Sequence, residues 1–183
     1  MMSSTFRFHL REQTRAAHQR LDDMVGPIGS AERYRAFVSA SYAHRQAVED
    51  YLQKVAWAGL AGGWRPTRIT ELIAQDLADL RLATPPVEPL RLSNDIACGI
   101  GVAYVLEGSA LGARLIARMA ADLGFGASHG ARHLAGQERG LANWRDFLGL
   151  VEGLDWIDRD IAAGAASATF DHAARAMRHN GFC

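Results

Sequence analysis

The sequence predicts a single all-α domain covering residues 1–183, and three observations support this prediction. Apolar residues recur at helical spacing through most of the chain, period-two alternation is scarce, and Ala, Leu and Arg dominate the composition. With 49% hydrophobic residues, a chain of this length can bury one continuous core. There is no internal repeat or low-complexity tract, so we expect a bundle of six to eight helices.

Three helices are predicted in the first half of the chain. The first follows Ser3-Ser4-Thr5 and runs to about Asp23, where "VGPIGS" ends it. Ser30 caps the second helix, which extends from Ala31 to about Trp57. The segment "AGLAGGWRP" is the longest flexible stretch, and the third helix then covers residues 67–80.

The second half begins with the Pro-rich connection "ATPPVEPLRLS", which is not a domain boundary because amphipathic helix follows it. Ser93 is predicted to cap a long fourth helix that ends near Gly124. After the loop "GFGASHG", a shorter helix covers residues 134–151. The last helix runs from about Asp155 to about His179.

Composition excludes several classes of function. The formal net charge is zero, so neither nucleic acid nor a membrane surface is expected as the main partner. Cys98 and Cys183 provide no zinc spacing and no disulfide framework, which suits a reducing compartment. We find no apolar run of signal-peptide length and no stretch approaching a transmembrane span. A cytoplasmic location is therefore expected.

The first helix carries a chemically distinctive edge. Its apolar stripe consists of Leu10, Ala17, Leu21 and Met24. His18 falls at the border of that stripe, and the side chains that share its side of the helix are Arg11, Arg15 and Asp22. One interpretation is a boundary histidine paired with Asp22 on a solvated flank. The other is an axial ligand to haem, with the arginines holding its carboxylates.

The fourth helix contains glycines at interior positions, where each costs about 1 kcal/mol relative to Ala. Gly101, Gly108 and Gly112 share one face, beside Val105 and Leu115. Close packing against another helix explains such a face. It is equally explained by a flat cofactor lying directly on the backbone, with a bend in the helix. The first helix offers a candidate haem ligand, and the fourth offers a face without side chains. Together they favour the explanation by a flat cofactor.

Other residues compete weakly for a functional role. His129 and His133 could form a metal pair if they were helical, but their segment is Gly-rich and offers no third ligand nearby. His172 and His179 are interpreted as surface residues of the last helix. The four tryptophans are mostly expected in the core or at helix ends. They are Trp57, Trp64, Trp144 and Trp156.

The sequence resembles the haem oxygenase family, specifically the bacterial branch associated with phytochromes. The segment "LREQTRAAHQRLD" resembles the family's proximal-helix motif, and "YVLEGSALGA" resembles its distal-helix motif. A third segment, "ATFDHAAR" near the C-terminus, is similar to the one that supplies a further basic residue to the propionates. The first two motifs occur in the order and separation of the family, and the similarity extends over most of the chain.

The resemblance implies a haem oxygenase-like bundle with haem held between the proximal and distal helices. It implies that His18 binds the iron, that Gly108 and Gly112 contact the haem face and provide the kink, and that Ser109 lies beside bound oxygen. Arg11, Arg15, Tyr104 and Arg175 would then fix the rotation of the haem, which selects the meso carbon attacked.

The implied reaction cleaves haem to biliverdin, carbon monoxide and ferrous iron, with O2 and external electrons. Haem is then both cofactor and substrate. An electron donor such as a ferredoxin or flavoprotein reductase is implied, and a bacteriophytochrome is a candidate recipient of the biliverdin.

The sequence departs from better-known members at several positions. Ser109 stands where they carry an Asp that orders water beside bound oxygen, and Ala113 stands where many have a second Gly. A hydroxyl can hold a water but brings no charge. Arg11 and Arg15 replace lysines, which retains the charge and improves the geometry toward carboxylates. Asp171 occupies a position that is basic in some members.

Three alternatives remain open at the level of sequence. The chain could be a haem-binding carrier or sensor without turnover. It could also be a helical module without haem, whose small-residue face packs another helix. A third alternative, a di-iron carboxylate enzyme, lacks its Glu-x-x-His pair here.

Overall fold

The computed structural model describes residues 5–57, 60 and 63–183, and in this part of the chain it contains eight helices. They are α1 (Phe6–Val25), α2 (Ala31–Leu52), α3 (Thr70–Asp79), α4 (Ile96–Gly108), α5 (Ala110–Asp122), α6 (Arg132–Arg139), α7 (Leu141–Glu152) and α8 (Arg159–His179). The β structure of the described residues is limited to isolated bridges around Gly126. The all-α prediction is confirmed.

Helix boundaries follow local capping. Ser30 caps α2 as predicted, because its side chain accepts a hydrogen bond from the Arg33 backbone N–H. Thr5 caps α1, whereas Ser3 and Ser4 lie outside the described residues. Asp95 caps α4 in place of the predicted Ser93. Asp158 caps α8, so that helix begins later than predicted.

Other predicted boundaries were wrong in identifiable ways. Helix α2 ends at Leu52, and Trp57 belongs to the segment after it. The predicted helix over 134–151 is two helices that meet at Gly140. Helix α3 begins at Thr70, and much of the preceding stretch expected to be flexible (58, 59, 61 and 62) lies outside the described residues.

Helix α4 forms the centre of the larger hydrophobic cluster. Ten of its residues are buried, and its most extensive packing is against α8. The continuous stretch Ile96–Asp122 is long and apolar enough to cross a membrane by length and composition, so the expectation that no stretch approaches a span was wrong. However, 67% of its most apolar window is buried inside the protein, as in the core helix of a globular domain.

A second hydrophobic cluster joins α2, α3, α5 and α6. At its edge the buried Asp76 carboxylate accepts hydrogen bonds from the His133 ring and from the backbone N–H groups of Arg132 and His133. Burial alone would raise the pKa of Asp76, but these hydrogen bonds outweigh it and hold the pKa below its usual value. His133 is thus a buried structural residue, while His129 lies 3.6 Å from Asp79 in the preceding turn.

The interpretation of His172 as a surface residue was wrong. This side chain is buried, and its Nδ1 lies 3.0 Å from Nδ1 of His44 on α2. Its Nε2 donates to the Glu88 carbonyl at 2.8 Å, which ties α8 to the Pro-rich connection. His179 is exposed, as expected.

Three of the four tryptophans are buried, as expected: Trp57, Trp64 and Trp144. Trp156 differs, because it is 59% exposed in the segment before α8.

Candidate functional site

The predicted long fourth helix is interrupted in its centre. It consists of α4 and α5, and Ser109 is the residue between them. The Ser109 backbone N–H bonds the Val105 carbonyl, whereas the Gly112 N–H bonds the Ser109 carbonyl, which tightens the first turn of α5. The regular helix is therefore interrupted at the motif "LEGSALG", while the bend itself stays a prediction. We call Ile96–Asp122 the α4–α5 segment.

The three glycines of the predicted small-residue face have different surroundings. A Cβ atom at Gly101 would lie 2.0 Å from the Ala162 carbonyl oxygen, so this glycine serves helix packing against α8. A Cβ atom at Gly108 would lie 3.6 Å from the Trp144 ring, which is an ordinary contact distance. Gly112 faces open space, with no atom within 4 Å of such a Cβ. Only the C-terminal part of the face is thus open.

Helix α1 meets the α4–α5 segment at two levels. At the first, Tyr104 forms a hydrogen bond with Thr14, and Ala17 packs in one cluster with Val105. At the second, the backbone N–H of Ile28, just beyond α1, lies 3.3 Å from the Met119 sulfur. Between these contacts lie the C-terminal turns of α1, which begin with His18, and the start of α5. His18, Ser109 and Gly112 of the predicted site fall in this interval, whereas Arg11 and Arg15 precede it on α1.

His18 lies in this interval and is accessible. Its side chain is 60% exposed, and its Nε2 is 3.6 Å from an Asp22 carboxylate oxygen. The ring centroid lies 5.3 Å from that of Phe170 on α8, and Phe170 packs in the same cluster as Ala17 and Val105. The structure therefore contains the His18–Asp22 pair of the simpler interpretation, and it also leaves the imidazole free to bind a ligand.

The start of α5 presents apolar side chains to solvent. Leu111 and Leu115 are each 62% exposed, and they flank the bare backbone of Gly112. Exposure of two leucines on one helix face is unusual where nothing covers them. This face of α5 can therefore accept a flat apolar group.

Arg11 and Arg15 lie on the exposed side of α1, two turns and one turn before His18, respectively. Within residues 5–57, 60 and 63–183, neither guanidinium has an ion-pair partner. Burial raises the pKa of Tyr104, while its bond to Thr14 and the nearby charges of Arg7 and Arg11 oppose that rise. Arg11 is therefore close enough to act electrostatically on the Tyr104 hydroxyl. Arg11 offers a positive charge, and Tyr104 a neutral hydroxyl, to an anionic ligand edge.

Arg175 is not brought to this group. Its Nε lies 3.3 Å from a Glu88 carboxylate oxygen in the Pro-rich connection. One turn earlier on α8, Asp171 lies 3.7 Å from Arg20, which is nine residues beyond Arg11 on α1. The structure thus places Arg175 next to a carboxylate and at the far end of α1 from Arg11.

Two side chains at the site were not found from the sequence. The Trp144 ring of α7 faces Gly108 and lies 5.6 Å from the Tyr104 ring. Gln137 of α6 donates to the Ser109 hydroxyl at 2.8 Å. Neither residue shares a helix or a motif with its partner, so no local pattern in the sequence could have linked them.

A buried charged cluster supports the α4–α5 segment from behind, and it too was missed. Arg45 of α2 donates to Glu49 at 3.2 Å and to the Leu106 carbonyl at 3.3 Å. Glu107 accepts hydrogen bonds from the backbone N–H and the hydroxyl of Thr67. Burial raises the pKa of Glu107, although the Thr67 bonds and Arg45 oppose the shift. This cluster fixes the last turn of α4 directly before Ser109.

The residues present fit a planar, largely apolar group with carboxylates at one edge. His18 supplies a nitrogen ligand, and the Gly112 region supplies an open apolar wall. Arg11 and Arg15 supply guanidinium groups that have no ion-pair partner in the part of the chain that the structure describes. Haem has these properties.

Comparisons with known proteins support the same interpretation. No family model matches the chain. It is 32% identical over 166 residues to haem oxygenase PigA of Pseudomonas aeruginosa, covering 86% of this chain and 84% of that protein. It is 31% identical over 93 residues to a haem oxygenase of Xanthomonas campestris, covering 51% of this chain and 56% of that protein.

The fold is similar to that of a solved structure. The crystal structure of the NO- and CO-bound haem oxygenase from Neisseria meningitidis matches with a TM-score of 0.80 at 25% identity. The match covers 99% of this chain and 94% of that one.

Proposed function

The chain belongs to the haem oxygenase family, and from this premise we propose that it binds haem between α1 and the α4–α5 segment and cleaves it oxidatively. The products are biliverdin, carbon monoxide and ferrous iron, and the reaction consumes O2 and external electrons. The observation that carries the proposal is an accessible His18 on α1 together with an open, apolar, glycine-containing face on α5.

His18 is the proposed iron ligand. Its imidazole is exposed and near the Asp22 carboxylate, which can accept a hydrogen bond from one ring N–H while the other ring nitrogen binds metal. Bound haem supplies the iron at which oxygen is activated and the macrocycle that is cleaved. The side chain of His18 therefore only has to hold and orient its substrate, and no side chain of the chain is needed as a nucleophile.

Arg11 and Arg15 are the proposed partners of the haem carboxylates. Guanidinium groups bind carboxylates with two parallel hydrogen bonds, which restricts rotation in the plane of the ligand. Tyr104 lies near Arg11 and adds a hydroxyl to the same edge. Because rotation decides which meso carbon is attacked, these residues would set the biliverdin isomer. Arg175 remains a prediction from the resemblance, without support from its position beside Glu88.

Gly108, Ser109 and Gly112 are the proposed residues on the oxygen side. Lack of a side chain at Gly112 lets backbone approach the ligand, and the break at Ser109 positions that backbone. Backbone N–H groups near Ser109 would donate hydrogen bonds on this side of the haem, and water held there would carry the protons that the reaction consumes.

The proposal extends to partners and location. Electrons would come from a ferredoxin or a flavoprotein reductase, and a bacteriophytochrome would receive the biliverdin. Both the free thiols, Cys98 and Cys183, and the zero net charge suit a cytoplasmic enzyme that acts as one domain over residues 1–183.

A turnover assay tests the proposal against the alternative of a haem carrier or sensor. The purified chain is loaded with haemin and supplied with O2 and either ascorbate or a ferredoxin system. We expect loss of the haem absorption, growth of biliverdin absorption and release of carbon monoxide, and chromatography of the product identifies the isomer. Persistence of the haem spectrum without biliverdin would favour the carrier or sensor.

A further inference from the structure

The Ser109 hydroxyl has two hydrogen-bond partners within the protein. Its Oγ donates to the Leu106 carbonyl at 2.6 Å, one turn earlier on α4. It accepts from Nε2 of Gln137 on α6 at 2.8 Å. A hydroxyl has one proton and two lone pairs. The proton and one lone pair are therefore used, and a single lone pair remains for a water or ligand.

The direction of these two bonds is set by their partners. A backbone carbonyl only accepts, so the Ser109 proton has to lie on the bond to Leu106. An amide NH2 only donates, so Gln137 has to address a lone pair. If the hydroxyl turned its proton toward α6, it would lose the bond to Leu106 and face the Gln137 donor. Gln137 thus opposes rotation of the hydroxyl.

The Leu106 carbonyl accepts a second hydrogen bond, from α2. Nη1 of the buried Arg45 donates to it at 3.3 Å. A chain of hydrogen bonds therefore runs from Gln137 on α6 through Ser109 and Leu106 to Arg45 on α2. It crosses the α4–α5 segment at the residue where the helix is interrupted.

We propose that Gln137 is a positioning residue that fixes the Ser109 hydroxyl as a hydrogen-bond acceptor on the oxygen side of the haem site. The inference rests on the proposed function and deepens it. Ser109 then gives no proton of its own to the bound oxygen. It holds a water by accepting from it, and the water is the proton donor. A serine can in this way occupy the position at which an acidic residue was expected.

Gln137→Glu is the variant that tests the proposal, because it keeps the size of the side chain and reverses its hydrogen bonding. An ionised carboxylate only accepts, so it draws the Ser109 proton away from Leu106. When the carboxyl is protonated, it can again donate to Ser109. Gln137→Met is the neutral control that removes the donor, and Ser109→Ala removes the residue through which Gln137 is proposed to act.

The first readout needs no haem. In the isotope-labelled protein, the carbonyl carbon resonance of Leu106 reports the hydrogen bond from Ser109. In Gln137→Glu we expect it to move upfield as pH rises through the pKa of the introduced carboxyl. We expect this additional step, beyond any change caused by the neighbouring Glu107, to be absent from the unmodified chain, from Gln137→Met and from the double variant Ser109→Ala/Gln137→Glu.

The second readout is the pH at which the ferric haem complex passes from its acid to its alkaline visible spectrum. Gln137→Glu should shift this midpoint when Ser109 is present and leave it unchanged in the Ser109→Ala background. A shift of equal size in both backgrounds would mean that the new charge acts directly and would overturn the proposal. The proposal would also be overturned if the Leu106 carbonyl resonance of Gln137→Glu showed no additional titration. Failure of the unmodified chain to bind haemin would instead count against the proposed function, and the Leu106 titration would still decide the direction of the hydrogen bond.

Discussion

Gly101 packs against Ala162 so closely that a Cβ atom at Gly101 would lie 2.0 Å from the Ala162 carbonyl oxygen. Gly112, on the same predicted face, has no atom within 4 Å of the corresponding position. Helix packing therefore explains Gly101, whereas Gly112 is open and the ligand wall proposed there stays a prediction.

Gly101→Ala should destabilise the fold. The neighbouring atom is a backbone carbonyl, which cannot move aside without shifting α8, so we expect a loss of roughly 3 kcal/mol in the free energy of unfolding. Gly164→Ala is the matched control, since nothing lies within 4 Å of that position on α8. Urea denaturation of both variants measures the difference. Equal stabilities would contradict the packing role of Gly101.

Gly112→Ala should have the opposite effect on stability and should impair function. An open position in a helix gains up to about 1 kcal/mol when Gly is replaced by Ala. The new methyl group would stand where the proposed ligand lies, so haem affinity or turnover should fall. Calorimetry without haem and a haemin titration give the two values. A stabilised variant with unchanged haem binding and turnover would exclude Gly112 from the site.

Arg11→Gln and Arg15→Gln should each weaken haem binding without lowering stability, because both side chains are exposed and have no ion-pair partner among the described residues. Loss of one charged hydrogen bond corresponds to about a tenfold rise in Kd. The double variant should also broaden the mixture of biliverdin isomers. Arg35→Gln, at an exposed position of α2, is the control. Affinities and isomer ratios that match this control would remove the arginines from the proposal.

The His44–His172 pair should make stability depend on pH. Burial, together with the nearby His172 and Arg45, lowers the pKa of His44 to about 3. In the unfolded chain this histidine has a pKa of about 6.5. The folded state is therefore favoured above that value and loses this contribution as pH falls toward 3, since only the unfolded chain takes up the proton.

Urea denaturation between pH 7 and 5 checks this dependence in a range where exposed carboxyl groups remain ionised. The free energy of unfolding should decline more steeply in the unmodified chain than in His44→Gln. Parallel declines in the two proteins would show that His44 does not carry the effect.

Much of the architecture could be predicted because it follows from local patterns. Helical periodicity gave the all-α class, and Ser30 could be recognised as a cap from its position alone. Capping failed where two candidates lay close together, as with Ser93 and Asp95. A bend was expected within the fourth helix, but the contacts that Arg45 makes with Leu106 and Gln137 makes with Ser109 come from other helices and could not be predicted.

The site was only partly predictable for the same reason. His18 and the glycines stand out within single helices, so they could be proposed as site residues from the sequence. His172 was misjudged because its partner His44 is 128 residues away, and periodicity on one helix says nothing about such a contact. The two roles of the glycines could not be separated either, because a helical wheel contains no information about the neighbouring helix.

The most direct test of the account is the haemin spectrum of His18→Ala. His18 is exposed and is 3.6 Å from Asp22, so its removal should leave folding intact. His129→Ala, another exposed histidine outside the site, is the control. The account predicts that only His18→Ala loses the ferric-histidine spectrum and biliverdin formation. An unchanged spectrum and unchanged turnover in His18→Ala would contradict the placement of haem between α1 and the α4–α5 segment.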